Sequence, residues 1–319
     1  MRPLPLRKSL LTLAVAVLVC VVPLAAVPAG PATAGALRAG PWTLTGSEAV
    51  AAGTADQGLA TVVRRGRAVV VTRGSGSVAP DLAARGWNHV GDPSSVGGAV
   101  LDAYQSRRPD GPKLFRITTA AGGRFDFVHR LSPGETSNNS FAAVAPGGRW
   151  FVSGEWRTMT RLLVFPVPDL NLAPPAAVRS IPLATTITLT HPVRDVQGCA
   201  FTSSTALICS TNDPGTDLYA VPRQLLRIRL GHPLDGRPVT GRPHLLSPAP
   251  AQTVCAGPPG EVEGIDVHAQ RMVVAVNAPC AAATELFTYT DDHIKPARHS
   301  PAAARPSYAT SGGRDRAAA

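Results

Sequence analysis

The polar residues that could carry chemistry in this chain of 319 residues sit at the starts of short apolar runs: His89 and Asp92, Asn138 and Asn139, Asp195 and Gln197, then Glu261, Glu263 and Asp266. Carboxylates and amide oxygens suit Ca²⁺ or another hard divalent cation, which takes oxygen ligands. Glu263, Asp195 and Asp266 are the candidate metal ligands; His89, Asp92, Asn138, Asn139, Gln197 and Glu261 are candidates for holding a ligand. With an ion and a bound water, such a group would hydrolyse a lactone or ester by Lewis-acid activation, with Glu263 or Asp195 as ligand and His89 as proton shuttle. The same residue types also serve plain structural ends, since Asp caps turns and Glu closes strands. No G-x-S-x-G elbow is present, and the Gly pairs 97–98, 122–123 and 147–148 lie at turns between strands, where they cradle no phosphate.

These residues are far apart in sequence, so only a fold that gathers distant strand starts can make one site of them. From residue 57 to residue 290 no helical periodicity is sustained, whereas β-branched runs between Gly, Pro, Asp and Ser turns recur. Helical turns are expected only at 81–85 and 222–226. Strand, tight turn, strand patterns recur at 58–72, 87–104, 140–153, 197–210 and 263–276. Their spacing is close to that of propeller blades of roughly 40 to 50 residues. The expectation is therefore an all-β protein, a β-propeller of five to seven blades. Residues 286–290 pair with 42–45 to close the ring, and polar strand starts open onto a central channel. Trp87, Trp150 and Trp156 are expected in blade cores, although a sugar could stack on such rings.

Arg2, Arg7 and Lys8, an apolar stretch at 9–27 and Ala32-Thr33-Ala34 have the three parts of a cleavable secretory signal over residues 1–34. Residues 35–56 then read as a lead-in, 57–294 as the propeller, and 295–319 as a disordered basic tail. Signal removal takes Cys20 and leaves Cys199, Cys209, Cys255 and Cys280, an even number suited to an oxidising compartment. A hairpin turning at Ser204 would set Cys199 opposite Cys209 and Phe201 opposite Leu207. Cys255 and Cys280 flank a second hairpin, so two local disulfides are expected. The net charge of +10 is carried mostly by the two ends, and aromatics are only 5%, which argues against nucleic-acid binding.

Residues 145–153 resemble the strand-turn-strand motif S-P-D-G-x-W/R of TolB-like and WD40-like propellers. The runs 86–92, 138–143, 153–156, 193–199 and 263–266 resemble a group of secreted actinobacterial proteins of unassigned function. That resemblance covers most of 85–289 and implies a propeller and export, with no activity attached. Glu263-Gly-Ile-Asp266 is similar to the E-G-x motif of gluconolactonase and regucalcin propellers, whose glutamate is a metal ligand, although the tryptophan usual after it is missing here. The reading is a secreted, monomeric binding module for a protein or small-molecule ligand, with no nucleic-acid partner and no stable membrane insertion once the signal is removed. The rival reading is a metal-dependent hydrolase of the lactonase type.

Overall fold

The computed structural model describes residues 38–108, 110–136, 141–169, 178–257 and 260–291. The expected signal peptide and basic tail, and Asn138 and Asn139, lie outside the described residues.

Alternating apolar residues between tight turns produce antiparallel hairpins, because period-2 strands bury one face or both and a two-residue turn reverses the chain. The first two strands, β1 (Arg38–Ala39) and β2 (Trp42–Ala51), precede the hairpin of β3 (Gly58–Arg64) and β4 (Arg67–Arg73). Between β3 and β4 sit Arg65 and Gly66, at φ 51° and 75°, the pair of left-handed residues that a type I′ turn requires. A short helix α1 (Pro80–Ala84) leads into β5 (Trp87–Val90), β6 (Ser94–Val96), β7 (Ala99–Ser106), β8 (Lys113–Thr118) and β9 (Arg124–His129). Then come β10 (Ala143–Val144), β11 (Trp150–Ser153), β12 (Thr158–Pro166), β13 (Val178–Ser180) and β14 (Thr185–Arg194). The chain continues through β15 (Val196–Ser203), β16 (Ala206–Asn212), β17 (Arg223–Leu230) and β18 (Val239–Pro248). It ends with β19 (Val262–His268), β20 (Arg271–Ala278) and β21 (Ala283–Asp291).

Strand pairing gives four sheets, one of them joining two blades through the parallel pair β14 and β18, and the inner strands divide them into five radial units. Blade I is the β3–β4 hairpin; blade II runs β5/β6, β7, β8, β9, with β13 added in parallel outside. Blade III is β10, β11, β12, β14, and blade IV is β15 to β18. Blade V is β19, β20, β21, completed by β2 from the other end of the chain. The inner strands pack in a closed ring, β3 on β6, β6 on β10, β10 on β15, β15 on β19 and β19 back on β3. The architecture is thus an all-β propeller of five blades.

Closure occurs where the sequence placed it, with Trp42 opposite Asp291, Thr43 opposite Thr290 and Leu44 opposite Tyr289. The residues read as a lead-in therefore include an outer strand of the last blade. Expected helix at 81–85 is found as α1, but 222–226 is strand: Leu225 and Leu226 are both fully buried because β17 is covered on both faces. A continuous apolar run of that kind looks the same in a buried helix and a buried strand. Cys199 pairs with Cys209 and Cys255 with Cys280, and Phe201 faces Leu207 as the hairpin required. No helix among the described residues is long and apolar enough to cross a membrane.

The core follows the blades. Phe115, Phe151 and Phe165 interlock between blades II and III with ring centroids 4.8 to 5.3 Å apart. A second cluster fills the space between blades IV and V, around Ile208, Leu225, Ile265 and Val274.

Candidate functional site

Asp92 holds the centre of the ring. It follows β5 at the point where the inner strand of blade II breaks before β6, and its side chain is fully buried. The Leu59 amide of blade I donates to Oδ1 at 3.0 Å and the Ile265 amide of blade V to Oδ2 at 3.2 Å. Its own carbonyl accepts from Ala142 N at 3.0 Å, which ties it to blade III. Blade IV contributes Gly198, where an added Cβ would lie 2.2 Å from Oδ2; Gly58 and Gly264 would meet Oδ1 at the same 2.2 Å. Three inner strands therefore carry glycine at one level because a carboxylate occupies the space their side chains would need. Burial pushes the Asp92 carboxyl well above its ordinary range, against the pull of the two amides. Asp92 is a structural pin and does not line the channel mouth.

Just above that pin the inner strands open into a cavity of about 330 Å³, lined by Gln57, Asn88, His89, Gln105, Trp156, Gln197, Glu261 and Glu263. Every blade contributes: Gln57 precedes β3, Asn88, His89 and Gln105 come from blade II, Trp156 from blade III, Gln197 from blade IV and the two glutamates from blade V. Glu263 is buried and accepts from Asn277 Nδ2 at 2.7 Å. Burial, and then the neighbouring Glu261, raise its carboxyl well above the usual range. Burial lowers His89, which is neutral at physiological pH. The lining thus holds four amides, an imidazole, an indole and two neighbouring carboxyl groups, with neither Arg nor Lys.

Trp156 sits in the turn between β11 and β12 and is 38% exposed, unlike Trp87, which is packed in the blade II cluster. The core reading of Trp156 is therefore corrected. Its turn is anchored from below, because the fully buried Lys113 Nζ donates to Gly154 O at 2.8 Å and pairs with Glu135 at 2.8 Å. Next to Gly154, Glu155 accepts from Thr136 N at 2.9 Å and from Arg161 Nε at 2.7 Å. Burial brings the Lys113 amine down to about 8. Glu135 is pushed up by burial but held at about 2 by His129 and Lys113. Trp156, Asn88 and Gln105 also border a wider cleft of about 1000 Å³ that runs over Arg107, Glu135 and Arg157.

Of the residues singled out in the sequence, His89, Gln197, Glu261 and Glu263 come together in the mouth. The three candidate metal ligands do not. Asp195 lines a separate cavity with Asn212, Arg223 and Glu261, and burial raises its carboxyl. Asp266 lies beyond the pin and accepts from Thr61 Oγ1 at 2.5 Å. Among the described residues no group of three or more His, Cys, Asp or Glu side chains is arranged to hold a metal ion. The residues present do not fit the Ca²⁺ site that the E-G-x resemblance implied. Gln57, Asn88 and Gln105 carry no mark in the sequence, and Trp156 reads there as blade core with sugar stacking as the alternative.

No protein-family model matches the chain, and no curated protein matches it. Among solved structures it is similar to the β-propeller domain of Myceliophteria thermophila Cps50 (Swd1), at 14% identity and a TM-score of 0.32, over 71% of this chain and 61% of that one. The chain thus spans about three fifths of that domain, and at this TM-score the assignment to a propeller stands on the strand pairing described above.

Proposed function

We propose that this protein is a binding module whose channel mouth takes an uncharged, polyhydroxylated small molecule, a saccharide being the class that fits. The observation that carries the reading is that all five blades send a side chain to one cavity, and that those side chains are amides, an imidazole and two neighbouring carboxyl groups beside an exposed indole. Amides donate and accept at once, as vicinal hydroxyls do, and a tryptophan face stacks on the apolar side of a sugar ring. The lack of Arg and Lys in this lining disfavours phosphates and carboxylates, whose recognition uses charge-assisted bonds. The two disulfides accord with an extracytoplasmic setting. Nothing in the geometry favours the hydrolase reading, since its proposed ligands are dispersed.

The test is a titration of the purified protein with glucose, galactose, mannose, N-acetylglucosamine and trehalose, following indole emission. A saturable change abolished by Trp156→Ala and weakened at least tenfold by Gln197→Ala supports the reading. No saturable change with any of the five up to about 50 mM contradicts it, since even a weak site of about 1 mM corresponds to about 4 kcal/mol of binding energy.

A further inference from the structure

Blades II to V each have at least four strands, and blade I has two. Among the described residues, β4 pairs with β3 and has no strand on its other side. In a hairpin closed by a two-residue turn, Arg64 and Arg67 form the first hydrogen-bonded pair, and pairs alternate from there. The N–H and C=O groups of Ala68, Val70 and Thr72 therefore point outward, away from β3, and of these the Thr72 carbonyl accepts from Arg73 Nη1 at 2.8 Å. The strand is also bare on its faces, with Val69 48% and Val70 42% exposed, and Val63 beside them on β3 at 42%. An exposed edge of this kind is normally blunted by a bulge, a proline or a covering segment, because it templates strand addition. β4 has no proline and its register with β3 runs unbroken from Arg67 to Arg73.

Charge selects the occupant. At one end of the edge stand Arg64, Arg65 and Arg67; at the other, Arg73 is already paired with the buried Asp102, at 2.6 and 2.9 Å, so the uncompensated positive charge lies at the turn end. A second copy would bring the same edge, which carries no acidic residue from Gly58 to Arg73, so it offers these arginines no opposite charge. We infer that β4 is a β-augmentation site for another polypeptide: an extended segment with alternating β-branched residues and an acidic residue at the end that meets Arg65 and Arg67, added antiparallel as a third strand of blade I. Backbone pairing with Ala68, Val70 and Thr72 supplies the affinity, and the arginines supply the direction and the choice of partner.

The experiment uses the acetylated, amidated heptapeptide Glu-Val-Thr-Val-Thr-Val-Glu, its twin with Lys in place of both Glu, and amide hydrogen exchange on the full protein. With the acidic peptide at about 1 mM, exchange at Ala68, Val70 and Thr72 slows at least tenfold, and the lysine twin leaves it unchanged. Val70→Pro removes an outward N–H without touching the β3 pairing, so it keeps the fold and abolishes the protection. Arg67→Glu inverts the preference between the two peptides. Absence of protection by the acidic peptide, equal protection by both, or protection that rises with protein concentration in the absence of peptide would each overturn the inference, the last by assigning the edge to a second copy.

Discussion

Gly198→Ala and Asp92→Ala should be strongly non-additive. The Cβ that Gly198→Ala introduces would stand 2.2 Å from Asp92 Oδ2 and 2.7 Å from its Cγ, with the Gly264 Cα at 3.0 Å. That is roughly 1 Å inside normal contact, in a place walled by backbone, so the single substitution should cost about 3 kcal/mol, at the upper end of ordinary overpacking. Gly198 is outside the left-handed region, so no backbone strain adds to this. Asp92→Ala orphans the Leu59 and Ile265 amides, both buried, at about 1 to 3 kcal/mol each, or about 4 kcal/mol together. Were the sites independent, the double variant would lose about 7 kcal/mol. Removing the carboxylate also removes the atoms the new methyl strikes and leaves only the 3.0 Å approach, so the double variant should lose about 4 to 5 kcal/mol. Urea unfolding followed by far-UV circular dichroism at 15 °C gives all four corners of the cycle. Additivity within about 0.5 kcal/mol would refute the placement of Asp92 against Gly198, because unconnected sites add to that precision.

Two further outcomes follow from the buried ionisable groups. The folded-state carboxyl of Glu263 lies well above its unfolded value, so the stability it contributes is complete in acid and is lost as pH rises through the folded pKa. Wild-type melting temperature should fall as pH rises above the ordinary glutamate range, and Glu263→Gln should flatten that fall; an unchanged slope would show that Glu263 is ionised in the folded protein. Lys113→Met leaves the Glu135 carboxylate buried without its cation and frees the Gly154 turn. It should cost about 3 to 5 kcal/mol in urea unfolding, whereas a loss under about 1 kcal/mol would mean the pair is solvated.

What the sequence disclosed is local physics. The Cys199–Cys209 register follows from counting two residues per strand period on each side of a turn, and the closure of β2 on β21 from two apolar alternations with no other partner. What it concealed is long-range. An aspartate after a strand usually caps a turn, and nothing near Asp92 announces that the amide of Ile265 will reach it across 173 positions. A sequence signal did exist. Gln57-Gly58, Gln197-Gly198 and Glu263-Gly264 repeat a Gln-or-Glu, Gly pair at equivalent points of three inner strands, with the polar side chain facing the mouth and the glycine facing the pin. Trp156 reads as blade core in the sequence because its exposure depends on a turn held by Lys113 and Arg161, whose partners are set by tertiary packing. Asp195 and Asp266 failed to join Glu263 because strand starts in a propeller are staggered in depth as well as radially arranged.

The claim that organises all of this is that the five inner strands build one ligand-binding mouth above Asp92. A crystal structure of the protein soaked in the saccharide that most perturbs indole emission tests it directly. The account predicts a sugar ring lying on Trp156 with hydroxyls bonded to Gln197 and Glu261; density only in another cleft, or a mouth filled by protein side chains, would contradict it.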